Sequence, residues 1–305
     1  MSMNKPKIIV ICGQTATGKS DFAVQIAKHI GGEIISADSR QVYRGMDLGT
    51  GKITKREMKG IPHYLLDVVS PKKVFTVQDF KDKAEKAIKQ ISKNKKVPII
   101  CGGTGFYIDA LLSGQILPDV KANPKLRKEL EKKSKEELFN ILKKLDSVRA
   151  ENIDKDNPVR LIRAIEIATT LGKVPKLGVQ PLIPYDVLYI GLALPDEILK
   201  ENIHTRLLSR IKKGMIHEVK KLHEEEKVSW KRLENFGLEY RYSARYLQNK
   251  ITKPEFIEKL NTEIWHYAKR QKTWFKRNKN ITWINPHDIY ERAKAVKKVK
   301  DFISK

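Results

Sequence analysis

The sequence predicts an α/β protein: a parallel sheet core flanked by helices, interrupted by a helical insertion. Three observations carry this. Short apolar runs alternate with helix-length amphipathic stretches through the first third of the chain, the signature of βαβ units. The first run, Ile8-Ile9-Val10-Ile11-Cys12, leads directly into Gly13-Gln14-Thr15-Ala16-Thr17-Gly18-Lys19-Ser20, which satisfies G-x-x-x-x-G-K-[ST] and makes the core one of the phosphate-loop (P-loop) type. From about residue 117 to residue 184 the texture turns charged and helical before a strand-like run, Tyr185 to Leu194, resumes. The expected division is a core of residues 1–116 and 185–305, with a helical C-terminal part, and an insertion of residues 117–184.

The elements follow in order. After the loop, Asp21 to Lys28 has helical spacing, so the loop feeds a helix whose N-terminal dipole favours an anion. Glu33 to Asp38 reads as a second strand ending on a carboxylate. A loop through Gly51 and an apolar run from Tyr64 to Val69 lead to a helix from about Thr76 to Lys93. Val97 to Cys101 is the next strand, closed by Gly102-Gly103-Thr104-Gly105 and a helical stretch to Leu112. In the insertion, Asn123 to Asp146 is charged and helical, with an apolar stripe at Leu126, Leu130, Leu138, Ile141, Leu142 and Leu145. Pro158 opens a second helix, and Gly172, Pro175, Gly178, Pro181 and Pro184 form a breaker-rich exit. Helices are then expected over about Asp196 to Lys212, Met215 to Glu226, Tyr240 to Gln248, and Pro254 towards Lys279. Ligands of open α/β sheets bind at the carboxyl ends of strands, so the loops at Gly13, Asp38 and Gly102 should meet in one cleft.

Composition narrows the class. Lys and Arg number 61 against 36 Asp and Glu, a net charge of +25. Such an excess attracts a polyanion, most often nucleic acid, although genome base bias also enriches lysine. No stretch approaches a membrane span and nothing resembles a secretory signal, so a cytoplasmic protein without membrane association is expected; a monomer is expected as well. Cys12 and Cys101 each sit inside an apolar run and read as core thiols.

Several residues can carry chemistry. In the loop, backbone N–H groups converge on phosphate oxygens, Lys19 supplies a point charge, and the Ser20 hydroxyl can ligate Mg²⁺. Asp38, at a strand end, can ligate Mg²⁺ or accept a proton; it can equally cap a turn with Ser39. Gln41 offers an amide matched to an adenine edge, or a plain surface group. The Gly102–Tyr107 turn is either tight packing or a wall of the site with Thr104 facing the ligand. Its strand lacks the terminal Asp with which P-loop nucleotidases hold Mg²⁺, which counts against an ordinary ATPase. Arg206 and Arg210, four apart on one helical face, suit a leaving phosphate or a salt bridge. The helix around Trp265 to Arg277 interleaves aromatic and basic residues, a pattern suited to single-stranded RNA. Ile264, Tyr267, Ala268, Gln271 and Phe275 share one spacing there and should face the core, leaving Lys269, Arg270 and Lys272 for RNA.

Together, Gly13–Ser20, Asp38-Ser39-Arg40-Gln41-Val42-Tyr43 with the following Arg44 to Lys52, Gly102–Tyr107, and Tyr267-Ala268-Lys269-Arg270-Gln271-Lys272-Thr273-Trp274-Phe275 resemble the bacterial tRNA dimethylallyltransferases (the MiaA type, IPP transferase family). The order of motifs matches from about residue 8 to residue 285. The resemblance implies transfer of a dimethylallyl group from dimethylallyl diphosphate to N6 of adenosine 37 in tRNA, beside the anticodon. It implies that Gly13 to Ser20 grip the diphosphate with Mg²⁺ at Ser20, that Asp38 is the general base, that Thr104 lies near the reacting centre, and that Arg206 contacts the leaving diphosphate. It further implies tRNA contacts from Asp38, Ser39, Arg40, Gln41 and Thr104, and from Val159, Arg160, Leu161, Ile162 and Arg163. Two departures stand out: Gln14 replaces the family's usual proline, and Phe236-Gly237-Leu238-Glu239-Tyr240-Arg241 replaces an Ile-Gly-Tyr-x-Glu block.

Three other readings compete. A P-loop small-molecule kinase explains the loop, but neither the basic helix nor the missing strand-end Asp. An adenylate isopentenyltransferase acting on free AMP has no use for the charge or the insertion. A non-enzymatic RNA-binding protein leaves the phosphate loop unexplained.

Overall fold

The chain begins with β1 (Lys7–Gly13), α1 (Lys19–Ile30), β2 (Gly32–Ser36), α2 (Lys55–Met58), β3 (His63–Tyr64), α3 (Val77–Lys93), β4 (Val97–Cys101) and α4 (Gly105–Leu112). There follow β5 (Gln115–Ile116), α5 (Pro124–Leu130), α6 (Lys135–Leu145), α7 (Ser147–Glu151), α8 (Pro158–Leu171) and β6 (Gly178–Val179). The last part holds β7 (Asp186–Leu192), α9 (Asp196–Lys212), α10 (Met215–Glu224), α11 (Trp230–Phe236), α12 (Leu238–Leu247), α13 (Lys253–Phe275), β8 (Thr282–Ile284) and α14 (Ile289–Ser304). The computed structural model describes residues 5–113, 115, 116, 118–175, 178, 179 and 184–304. Leu117 and Pro181, the expected start of the insertion and one of its exit prolines, lie outside the described residues. Two compact units emerge: Met1–Leu112 with Ile183–Lys305, and Ser113–Leu182.

In the larger unit six strands form one parallel sheet in the order β3-β2-β4-β1-β7-β8. β1 is central, and apolar and buried from Ile8 to Cys12, as a strand covered on both faces must be. One face packs Ile8, Val10, Ile35 and Ile100 against Phe80 and Ile88 of α3 and Tyr107 and Leu111 of α4. The other packs Ile9, Ile11, Ile34 and Ile99 against Phe22 and Ile26 of α1 and Ala295 and Val299 of α14. The strand ends are cross-tied: Gly102 N–H donates to the Ile11 carbonyl (3.1 Å), Ala37 N–H to Cys101 (2.8 Å), and Thr104 N–H to Ala37 (3.2 Å). These bonds draw the three loops into one cleft. Cys12 and Cys101 are buried free thiols, each pushed by burial up to about 12, and are core groups as expected.

The smaller unit is built on Leu130, Leu138, Leu142, Leu161 and Ile165. Its buried Glu166 accepts from Arg127 (2.7 and 2.8 Å), Arg163 (2.8 Å) and the Asn123 N–H (2.7 Å). Burial alone would push this carboxyl up; those bonds outweigh it and hold it at about 2.

Several elements differ from expectation. Asn123 to Asp146 is two helices, because Ser134 and Glu137 form a capping box that starts α6 afresh. Leu145, assigned to the stripe, is exposed. The strand expected over Glu33 to Asp38 stops at Ser36. The helix expected to reach Lys279 stops at Phe275, and the chain returns as β8 on the sheet edge. The sequence does not mark α2, α7, α11, α14, β5, β6 or β8.

Candidate active site

The phosphate loop joins β1 to α1 with strained backbone held by many partners. Gly13 sits at φ 130°, where a side chain would also strike the Leu192 carbonyl. Ala16 is left-handed at φ 61°, a conformation costing a non-glycine residue roughly 1–2 kcal/mol. Thr17 Oγ1 donates to the Gln14 carbonyl (2.9 Å), and Lys19 Nζ folds back onto the same oxygen. Burial pulls the Lys19 ammonium down to about 8. Ser20 is exposed at the rim.

α13 supports this loop from behind. Gln271 accepts from the Thr15 N–H (2.7 Å) and donates to the Gly103 carbonyl (2.9 Å), so one buried amide bridges the phosphate loop and the second glycine turn. A side chain at Gly103 would collide with that amide. Gln14, the residue standing in place of proline, donates to the Ala268 carbonyl (3.3 Å). The Ala-Lys-Arg-Gln segment therefore contributes structure at the loop, through Ala268 and Gln271. One expectation is corrected: the Thr15 N–H is engaged by Gln271 and is not among the amides free to meet a phosphate.

Asp38 lies two residues beyond β2. Its Oδ1 accepts from the N–H groups of Arg40 (2.8 Å) and Gln41 (3.2 Å), an Asx turn, while Oδ2 has no partner among the described residues. Ser39 N–H donates to Thr104 Oγ1 (3.1 Å), which links this turn to the second glycine turn. Gln41 is not free: it accepts from Ser36 Oγ (3.1 Å) and its amide reaches the Gly51 carbonyl (3.4 Å).

Two adjoining cavities of about 300 Å³ and 290 Å³ meet at Asp38. The first is lined by the phosphate loop, Gln41, Gly51, Cys101, Arg206 and Gln271, the second by Ser39, Arg40, Phe236 to Tyr242 and Arg270. Thr15, Asp38, Thr50 and Tyr267 line both. Arg206 is half-buried; burial pulls its guanidinium down to about 10 and the neighbouring Arg210 adds to this, which still leaves it charged at neutral pH. Arg210 pairs with Glu239 at 3.1 Å, both side chains 13% exposed, and burial pushes the Glu239 carboxyl up. The Phe236–Arg241 block is thus a wall of the second cavity, which its sequence did not reveal. Arg40 donates to the Phe236 carbonyl at 2.7 Å.

The donor set suits magnesium held through a phosphate ligand. The Ser20 hydroxyl and the carboxylates of Asp21, Asp38 and Glu57 line the first cavity. No group of three or more His, Cys, Asp or Glu able to cage a metal occurs among the described residues. Mg²⁺ usually keeps several waters and takes one or two protein oxygens plus substrate phosphates, so this set fits.

On α13, Lys269 is exposed, 5.6 Å from the Trp265 ring, and Arg270 faces the second cavity. Lys272 instead pairs with Asp196 at 2.9 Å. In the smaller unit Val159 is 75% exposed and Arg160 is exposed. Leu161 and Ile162 are core residues at 0% and 9% exposure, a correction to their expected place on the RNA surface: they fall on the inward face of α8. Arg163 is occupied by Glu166 and the Val120 carbonyl.

A family model described as IPP transferase matches residues 41–278. The chain is 44% identical over 295 residues to tRNA dimethylallyltransferase 2 of Treponema denticola, covering 92% of this chain and 96% of that one. It is 40% identical to the tRNA dimethylallyltransferase of Pediococcus pentosaceus, over 97% of each. The solved tRNA isopentenylpyrophosphate transferase of Bacillus halodurans superposes with a TM-score of 0.72 at 36% identity, covering 98% of this chain and 96% of that one. A eukaryotic dimethylallyltransferase acting on tRNA superposes with a TM-score of 0.80 at 25% identity, over 98% and 80%. This chain belongs to the IPP transferase family, that of the tRNA dimethylallyltransferases.

Proposed function

We propose that this protein transfers a dimethylallyl group from dimethylallyl diphosphate to N6 of adenosine 37 in tRNA, forming N6-(dimethylallyl)adenosine, and that it works in the cytoplasm as a monomer. The observation that carries the reading is the position of Asp38, where a cavity built on a phosphate loop joins a second one walled by Arg40 and Arg270. Diphosphate occupies the first cavity, against the loop amides other than that of Thr15, Lys19 and Arg206. The target adenine, unstacked from the anticodon loop, enters the second. N6 attacks the allylic carbon, the C–O bond breaks, and its electron pair leaves with the diphosphate. Backbone amides and the two cations stabilise that developing charge. Asp38 accepts the proton released from N6, and the Thr104 hydroxyl holds the Asp38 turn through Ser39. The Ser20 hydroxyl would hold Mg²⁺ at the diphosphate, where the ion would supply further charge neutralisation. Lys269, Arg270, Val159 and Arg160 are the surface groups offered to the RNA, and Ser39 and Arg40 those at the second cavity; Gln41, its amide engaged by Ser36 and Gly51, lines the first.

The test is mass spectrometry of nucleosides after incubating unmodified tRNA with the protein, dimethylallyl diphosphate and Mg²⁺, without ATP. Prenylated adenosine in tRNA is expected. Phosphate transfer that depends on ATP would favour the kinase, and prenylated AMP from a mixture of AMP and tRNA would favour the adenylate enzyme.

A further inference from the structure

The loop of residues 46–52 closes one side of the first cavity through Thr50 and Gly51, and its own bonds, Thr50 Oγ1 to the Met46 carbonyl (2.7 Å) and Lys52 Nζ to Asp47 (2.6 Å), hold only its turn together. It carries Gly49 and Gly51, the latter left-handed at φ 59°, and glycine leaves a backbone free to wander. Its tie to the rest of the unit at Asp47 to Gly49 comes from another element. Glu218 of α10 accepts from three successive backbone N–H groups, Asp47 (2.9 Å), Leu48 (2.6 Å) and Gly49 (3.0 Å). The same carboxylate accepts from the Tyr240 hydroxyl of α12 at 2.7 Å. Consecutive N–H groups converging on one point form an anion nest, and here the anion is the protein's own side chain. Hydrogen bonds to an ionised acceptor are roughly twice as strong as neutral ones.

What the clamp holds matters for the site. The Gly51 backbone lies so close to Arg206 and Arg210 that a side chain there would overlap both guanidinium groups. Arg206 lines the first cavity together with Lys19. The loop is therefore the surface against which the two arginines rest.

We propose that Glu218 is a positioning residue: by gathering the N–H groups of Asp47, Leu48 and Gly49 it seats Gly51 against Arg206 and so fixes the cationic wall of the phosphate-binding cavity. The role rests on the reading of that cavity as the diphosphate site. It touches neither substrate and acts through Arg206.

The test pairs calorimetric binding of inorganic diphosphate with amide hydrogen exchange of the full-length protein. E218Q keeps one acceptor oxygen but turns an amide NH₂ towards backbone donors. Exchange at Asp47 to Gly49 should speed up with α1 and β1 amides unchanged. Diphosphate affinity should fall about tenfold, equivalent to about 1.4 kcal/mol. The KM for dimethylallyl diphosphate should rise more than kcat falls. A purely structural role would lower the melting temperature and leave the affinity of the folded protein as it was. Tyr240→Phe removes one donor and no backbone contact; about a threefold loss is expected, with faster exchange at Gly49. Either variant that frees the loop without weakening diphosphate binding overturns the proposal, as does E218Q with a loop still protected. Wild-type protein that binds no diphosphate would instead refute the donor-site reading.

Discussion

Gln271→Leu isolates the two hydrogen bonds that tie α13 to the phosphate loop. Leucine roughly conserves volume, so the cavity contribution stays small. What remains is the Thr15 N–H and the Gly103 carbonyl, bonded to Gln271 at 2.7 and 2.9 Å, with their partner removed. Each buried polar group left unsatisfied costs about 1–3 kcal/mol, so the predicted loss is about 2–6 kcal/mol, with water entry bringing it towards the lower end. Urea denaturation followed by tryptophan fluorescence reads this well, because Trp230, Trp265, Trp274 and Trp283 all belong to the larger unit. The free-energy loss should appear as a lower midpoint at unchanged slope. Diphosphate affinity should fall as well, since Thr15 and Gly103 line the cavity. A shift equivalent to less than about 0.5 kcal/mol, the range of ordinary surface substitutions, would refute the bridge as a stabilising link.

Asp38→Ala should lower single-turnover prenyl transfer by ~10²-fold or more, as for loss of a general base, while anticodon stem-loop binding in a filter assay stays near normal. Turnover close to wild type would reassign the base. Lys19 binds diphosphate as the ammonium, and its folded value of about 8 lies below the ordinary 10.5. The Lys19 contribution to diphosphate affinity, after correction for the ligand's own protonation, should therefore be constant well below pH 8 and fall as pH rises through it, approaching tenfold per unit for one linked proton. Calorimetry in buffers of different ionisation heat should show proton uptake on binding near pH 8–9; pH-independent affinity would contradict this. Neutralising Lys269 and Arg270 together should flatten the log–log salt dependence of tRNA binding by ~0.7–0.9 for each phosphate the protein no longer neutralises. Lys272→Gln should add little, because Asp196 already holds that ammonium.

Much of the core was legible because it obeys local rules. β1, β2, β4 and β7 are apolar runs of strand length, and the capping boxes at Thr76 and Thr252 mark where α3 and α13 begin. The phosphate loop and Asp38 could be picked out from motif and position and Arg206 from the family resemblance, and all three line a single cavity. The rest depends on contacts distant in sequence. β8 has three residues and no alternation to read, and becomes a strand only by pairing with β7. Leu161 and Ile162 sit between Arg160 and Arg163, so a block-wise assignment to RNA swept in two core positions. Glu218 and Glu239 carry no signal in the sequence that sets them apart; only the fold brings one to three backbone amides and the other to Arg210.

The union of Gln14 and Thr15 with Ala268 and Gln271 joins positions 254 and 256 residues apart. A nascent chain emerging from the ribosome can lay down β1 and α1 early, but their connecting turn keeps an unfinished shape until α13 has been synthesised and docked. Such long-range closure belongs to the slow end of folding. Shortened versions ending before residue 268 should thus fail to hold pyrophosphate, however intact their opening twenty residues.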